Sequence, residues 1–198
     1  SNTNNDTMYV NDTIIHDCVT AGIAIDNAQS VWGNFTNVIL DTCGYGIYAG
    51  SSFQGTNLAF NRNTVADIHV FRDISVHIQG YSSEHAVLAI SQAQGASIVI
   101  DGGTVVLHPE MVGTDWASIT ALGTLLGFYN FTVRENGVTN KKLNITGSST
   151  LVGKLHVRNC SFADGDDGTV FDFNVTTGSL GIYADIKHGP YERKQFIK

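Results

Sequence analysis

The sequence predicts an all-β chain wound into a parallel β-helix, a solenoid of stacked rungs. Three observations predict it. Two interleaved columns of apolar residues recur about every twenty places, Gly-, Asn- and Thr-rich phrases separate them, and no long segment carries a helical apolar period.

The columns meet in Val38 to Ser51, VILDTCGYGIYAGS, whose halves read as two short strands. Aligned on Ile15, Leu40, Phe60, Ile78 and Ile100, the first column advances by 25, 20, 18 and 22 residues. The second runs through Ile23, Ile47, Ile68 and Leu88 with steps of 24, 21 and 20. Because strand side chains alternate between faces, this alignment points Thr13/Ile15, Val38/Leu40, Leu58/Phe60, Val76/Ile78 and Ile98/Ile100 inward. It expects Leu40, Phe60 and Ile78 to pile into one file. One rung cannot bury its own apolar face, whereas several stacked rungs can. Cys18, Cys43 and Cys160 each fall three places after an inward residue, in a turn where Asn63 takes the equivalent place.

In order, residues 1–7 read as a lead-in. Rungs follow at Met8 to Ile25, Val31 to Ala49, Phe53 to Phe71 and Ile74 to Ser91, then a strand at Ala96 to Leu107 that stops at Pro109. These make 8–110 the β-helix. Residues 111–122 break the pattern and read as a loop or insertion. Within 123–187, strands are expected at Leu125 to Val133, Leu143 to Ile145, Leu155 to Phe162, Val170 to Phe173 and Leu180 to Ile186. Gly181-Ile182-Tyr183-Ala184 repeats Gly46-Ile47-Tyr48-Ala49, which favours further rungs, with a β-rich cap or small β-sandwich as the alternative. Residues 188–198 read as an exit tail.

Composition narrows the function classes. The formal charge is −7, and no Lys/Arg cluster precedes Glu192-Arg193-Lys194, so no nucleic-acid footprint is present and broad attraction of a polyanion is disfavoured. No apolar run approaches a membrane span, and the SNTNND opening is unlike a signal peptide. Three cysteines argue against a disulfide framework. Cys18 and Cys43 would stack near enough to bridge, although buried free thiols are the plainer reading. Asn-x-Ser/Thr triplets begin at Asn5, Asn11, Asn34, Asn130, Asn144, Asn159 and Asn174, and read as turn material rather than glycosylation sites.

These ladders, the turn composition and the phrase Ile78-Gln79-Gly80-Tyr81-Ser82-Ser83-Glu84 resemble the right-handed parallel β-helices of the pectin-lyase-like superfamily, most of all trimeric bacteriophage tailspikes. The resemblance covers about Met8 to Gly103 and argues fold better than chemistry. It implies a homotrimer in the virion (phage tail) or another extracellular setting. It further implies that bacterial surface polysaccharide is bound and depolymerised, by paired carboxylates or by β-elimination.

The alignment sets Ile14, Ile39, Ala59, His77 and Val99 in an outward apolar line. In a trimer that line would pack near the threefold axis; otherwise a loop would cover it. His16, Asp41, Asn61, Gln79 and Asp101 form an outward polar line. There Asp41 and Asp101, three rungs apart, stand about 14 Å from one another, too far for a glycosidase couple. On the second column Tyr48, Asp67, His69 and Phe71 are expected to point outward together, with Glu84 supplying a second carboxylate across a groove. Asp67, Glu84 and His69 are therefore the candidate catalytic residues, and Tyr48, Phe71 and Asp41 the candidate substrate contacts. Binding without catalysis and plain surface remain open, and His85 reads as a turn residue.

Asp164-Gly165-Asp166-Asp167-Gly168 lacks the closing glutamate of a calcium loop and reads as an acidic turn. No residue spacing calls for zinc, another metal or a cofactor. The competing functional readings are a non-catalytic structural or adhesin module and a secreted monomeric polysaccharide lyase.

Overall fold

The structure is a computed structural model that describes residues 6–26, 32–85, 87–93, 95–108, 115–120, 125–134, 142–147, 151–161, 171–175 and 178–187. Every regular element among these residues is a strand. They are β1 (Thr7–His16), β2 (Ala21–Ile25), β3 (Trp32–Asp41), β4 (Tyr45–Ala49) and β5 (Phe53–Asn61). Next come β6 (Ala66–Val70), β7 (Ser75–Glu84), β8 (Ile90–Gln92), β9 (Ser97–Val106) and β10 (Asp115–Ile119). The last are β11 (Leu125–Arg134), β12 (Lys142–Gly147), β13 (Leu151–Ser161), β14 (Phe171–Val175) and β15 (Gly178–Lys187).

Odd-numbered strands form one eight-stranded sheet and even-numbered strands a seven-stranded one, each in sequential order. All their pairings are parallel, as in a β-solenoid. The expected strands sit within a few residues of the observed ones. Asp115–Ile119, expected in a loop or insertion, is instead strand β10 of the second sheet. Its Trp116 is buried and packs on Phe128 and Phe131. Strands β11 to β15 continue the same two sheets. The exit tail and the acidic turn at Asp164 lie outside the described residues.

The long strands β1, β3, β5, β7, β9, β11 and β13 of the first sheet each bend near the middle at a residue in the left-handed region: Asp12, Asn37, Asn57, Gly80, Gly102, Asn130 and Asn159. Asn and Asp tolerate this conformation better than other side chains. An amide both donates and accepts, so it can pass the bond on. Asn37 Nδ2 donates to Asp12 Oδ1 at 2.8 Å, and Asn57 Nδ2 to Asn37 Oδ1 at 3.0 Å. Farther along, Asn130 Nδ2 donates to Asp101 Oδ1 at 2.8 Å, and Asn159 Nδ2 to Asn130 Oδ1 at 2.7 Å. Two of the triplet asparagines, Asn130 and Asn159, are therefore rungs of a side-chain ladder. A second corner, Asp17, Thr42, Arg62 and His85, is left-handed as well and leads out of the first sheet.

The mid-strand bend splits strands such as β3, β5 and β7 into halves that carry two inward residues apiece. One file runs Val10, Phe35, Gly55, Ile78, Ile100, Phe128 and Val157. Its neighbour runs Ile15, Leu40, Phe60, Ser83, Val105 and Val133. Leu40 and Phe60 do stack, but Ile78 belongs to the other file, above Gly55, where the Leu58 side chain fills the space a side chain at 55 would need. The expected alignment thus slipped by five residues between Phe60 and Ile78. In the second sheet the file is Ile23, Ile47, Ile68 and Ile90, with Ile90 in place of Leu88.

The slip changes the outward lines too. Ile14, Ile39 and Ala59 continue into Ser82 and Thr104, whereas His77 and Val99 sit above Asn34 and Gln54. His16, Asp41 and Asn61 continue into Glu84, whereas Gln79 and Asp101 sit above Thr56. The two Gly-Ile-Tyr-Ala phrases prove inequivalent, one on β4 of the second sheet and the other on β15 of the first.

Candidate functional site: an aromatic patch and a buried carboxylate

On the outer face of the second sheet Ala24, Tyr48, His69 and Ser91 follow one another in register. Rings one rung apart stack, and Tyr48 and His69 lie with centroids 5.3 Å apart and planes at 21°. Phe71, at the corner after β6, folds back over Gly50, where a Cβ would stand 2.5 Å from its Cζ. That places Phe71 4.3 Å from Tyr48 at 24°. Tyr45 closes the group, 5.1 Å from His69 and 5.2 Å from Tyr48. All four rings are half-buried.

Arg72 lies 5.3 Å from the Phe71 ring centre and pairs with Asp26 Oδ1 at 3.3 Å. Its Nη1 has no hydrogen-bond partner among the described residues. The patch thus offers ring edges, two phenol hydroxyls and a guanidinium, which suits a ligand with alternating C–H and hydroxyl faces. His69 Nδ1 is engaged by Ser91 Oγ at 2.9 Å, and burial lowers its pKa, so the imidazole is neutral at neutral pH.

Asp67 is not part of this patch. It is fully buried inside the solenoid, where strand alternation had placed it outside. The cause is local. The consecutive amides of Asp67 and Ile68 both donate to the next rung, to Leu88 O at 2.9 Å and Ala89 O at 3.1 Å. A regular parallel strand alternates the direction of its amides, so the chain is rotated here and both side chains turn inward. Asp67 Oδ1 accepts from Asn63 Nδ2 at 2.8 Å, and Oδ2 from Tyr81 Oη at 3.2 Å and from Ser83 Oγ. Burial raises its pKa to about 7 against the opposing pull of Ser83, Asn63 and Tyr81.

Glu84 also departs from the expected arrangement. It ends β7 on the outer face of the first sheet, in register with Asn61, which is in register with Asp41. Two rungs separate Asp41 and Glu84 by about 10 Å. Asp41 accepts from Arg62 Nη2 at 2.8 Å and Nε at 3.1 Å, and the guanidinium holds its pKa down. The structure therefore gathers Tyr48, His69 and Phe71 on one face and Asp41 with Glu84 on another, and leaves Asp67 between the sheets. Sequence reading missed Tyr45 and Arg72. Tyr45 opens β4 and Arg72 follows Phe71, so both flank residues that had been singled out. Among the described residues no three His, Cys, Asp or Glu side chains are placed to hold a metal ion.

This fold and these surfaces define a parallel β-solenoid with an aromatic patch on one outer face. No family model matches the chain, and no curated protein or solved structure matches it either.

Proposed function

We propose that this solenoid is a tailspike-like module that recognises bacterial surface polysaccharide on the outer face of its second sheet. The observation that carries the reading is the half-exposed Tyr48–Phe71 pair, with Tyr45 and His69 beside it and the Arg72–Asp26 ion pair at its edge. Aromatic rings take up the apolar faces of sugars, and the flanking polar groups satisfy hydroxyls. The acidic charge suits neutral or locally contacted glycans. Binding without cleavage is favoured here, since Asp67 is buried and Glu84 lies on the other sheet, which leaves no carboxylate of the expected trio facing the rings. The proposal includes a homotrimer at a phage tail, supported by the resemblance and by exposed Ile14 and Ile39 on the first sheet.

Titration of the protein with capsule and O-antigen oligosaccharides, followed by calorimetry, tests the reading. Binding that Tyr48→Ala weakens and Glu84→Gln leaves alone supports it, and no binding to any bacterial glycan sinks it. Reducing-end and unsaturated-product assays on the same mixtures separate holding from cutting, and solution mass tests the trimer. A second reading, a rigid structural module, is favoured by one observation: the rings spend much of their face area on each other.

A further inference from the structure

We propose that Cys18 and Cys43 are a disulfide-forming pair, a modification site that clasps the first rung of the solenoid to the second. All three cysteines are free thiols in this structure. Cys18 and Cys43 each follow a left-handed corner residue on adjacent rungs, and the backbones around them are already tied. Asp17 N donates to Asp41 O at 3.1 Å, Gly44 N to Cys18 O at 2.8 Å and Tyr45 N to Thr20 O at 2.7 Å. Rungs paired in this way lie about 4.8 Å apart, inside the roughly 4.4–6.8 Å between Cα atoms that a disulfide spans.

Cys18 Sγ donates to His16 O at 3.6 Å and Cys43 Sγ to Asp41 O at 3.5 Å, and burial, with the Cys18 thiol as a neighbour, raises the Cys43 pKa to about 11. Cys160 stands on β13 in the first sheet, where its sulfur donates to Phe128 O and Arg158 O. Cys160, which the sequence places in a turn, thus lies within a strand, whereas Cys18 and Cys43 occupy the corner that leads from the first sheet to the second.

Access is built in. Cys18 is half-buried, its neighbour Val19 is 97% exposed, and a cleft of about 290 Å³ opens over Asp17, Cys18, Val19, Thr42, Cys43 and Gly44. The clasp also falls at one end of the described stack. Among the described residues β1 has a neighbour on one side only, and its inward Met8, Val10 and Ile15 are half-buried where their counterparts in later rungs are buried. In a stack of rungs, opening starts at such an end. A Cys18–Cys43 bond closes the loop between the first two described rungs.

With oxidised glutathione as the oxidant, the Cys18 thiolate attacks one of its sulfurs and releases a glutathione thiolate. The Cys43 thiolate then attacks Cys18 Sγ in the mixed disulfide and releases the second. Two protein thiols are oxidised and one glutathione disulfide is reduced to two thiols. The raised Cys43 pKa makes the second step the slow one and quickens it as pH rises.

The experiment treats the folded chain with oxidised glutathione, alkylates it and maps its peptides by mass. The expected product has lost two hydrogens, keeps Cys160 as its one alkylatable cysteine and yields a Cys18–Cys43 linked peptide. Its melting midpoint rises by about 5 °C or more over the reduced chain. Cys43→Ser should stop at a glutathione adduct on Cys18. Three alkylatable thiols, a lasting adduct on the unsubstituted chain, a link through Cys160 or an unchanged midpoint would each overturn the proposal. Mapping the unsubstituted chain keeps the test independent of whether the variant folds.

Discussion

Tyr81 Oη donates to Asp67 Oδ2 at 3.2 Å across the interior, joining β7 of the first sheet to β6 of the second. Both residues are buried, in a core that is otherwise mainly apolar. Among the described residues the hydrogen-bond partners of the carboxyl are Asn63, Tyr81 and Ser83, and none of them is a cation. Such a group resists ionisation.

The consequence is a pH-dependent stability of definite sign. The folded pKa of Asp67 is about 7, and an unfolded aspartate titrates near 3.9. The folded state therefore holds the proton more tightly. The stability from this group is complete below about pH 4 and is lost as pH rises through about 7. Asp67→Asn, whose amide the Tyr81 and Ser83 hydroxyls can meet by rotating, should flatten that slope. It should also gain about 1–3 kcal/mol at pH 8 relative to the parent protein. Urea melts at pH 5 and pH 8 check it, and an unchanged slope in the variant would rule out Asp67 as the titrating group.

The asparagine ladder predicts opposite responses at two of its rungs. Asn37→Ala removes one bond to Asp12, another from Asn57, and a side chain suited to the left-handed bend, and should cost about 1–2 kcal/mol. Gly102 has φ +75°, and the nearest atom to an added Cβ is Gly80 N at 3.9 Å. Gly102→Asn should thus fall within about 1 kcal/mol of the parent, while Gly102→Val should cost roughly 1–2 kcal/mol. Paired thermal melts distinguish them; equal losses from Asn and Val would discredit the ladder argument.

Glycan binding, where detected, should depend on the Tyr48 ring. Tyr48→Ala should weaken it about tenfold and Tyr48→Phe much less, if the ring rather than the hydroxyl makes the contact. Circular dichroism confirms that the variants are folded, and calorimetry reads the affinity. Equal losses from Ala and Phe would place the contact at the hydroxyl.

Arg62 holds down the Asp41 pKa. In Arg62→Gln the Asp41 carboxyl should titrate at a higher pH than in the parent protein, as followed by NMR of its side-chain carbon. A pKa that stays put would mean that the paired geometry does not persist in solution.

Much of this fold was legible in the chain. The rung limits from Met8 to Ser91 follow from local alternation and turn residues, which depend on neighbours a few places away. The aromatic members of the site were legible for the same reason, since Tyr48, His69 and Phe71 alternate with inward Ile47, Ile68 and Val70. The register of the first sheet was not. A left-handed residue in mid-strand gives each strand two inward pairs, five residues apart and similar in character, so Val76/Ile78 looked as suitable above Leu58/Phe60 as Tyr81/Ser83.

The sequence by itself determined a stack of short parallel strands and where the first four rungs begin. Only the tertiary structure decided which rung-mates touch. It set Ser83 over Phe60, drew Asp67 inward to Tyr81 and Ser83, and placed Glu84 above Asn61, in file with Asp41, rather than near His69. The physical reason is that alternation is fixed by adjacent peptides. Register is fixed instead by how side chains some twenty residues apart fill one interior and satisfy its few polar groups.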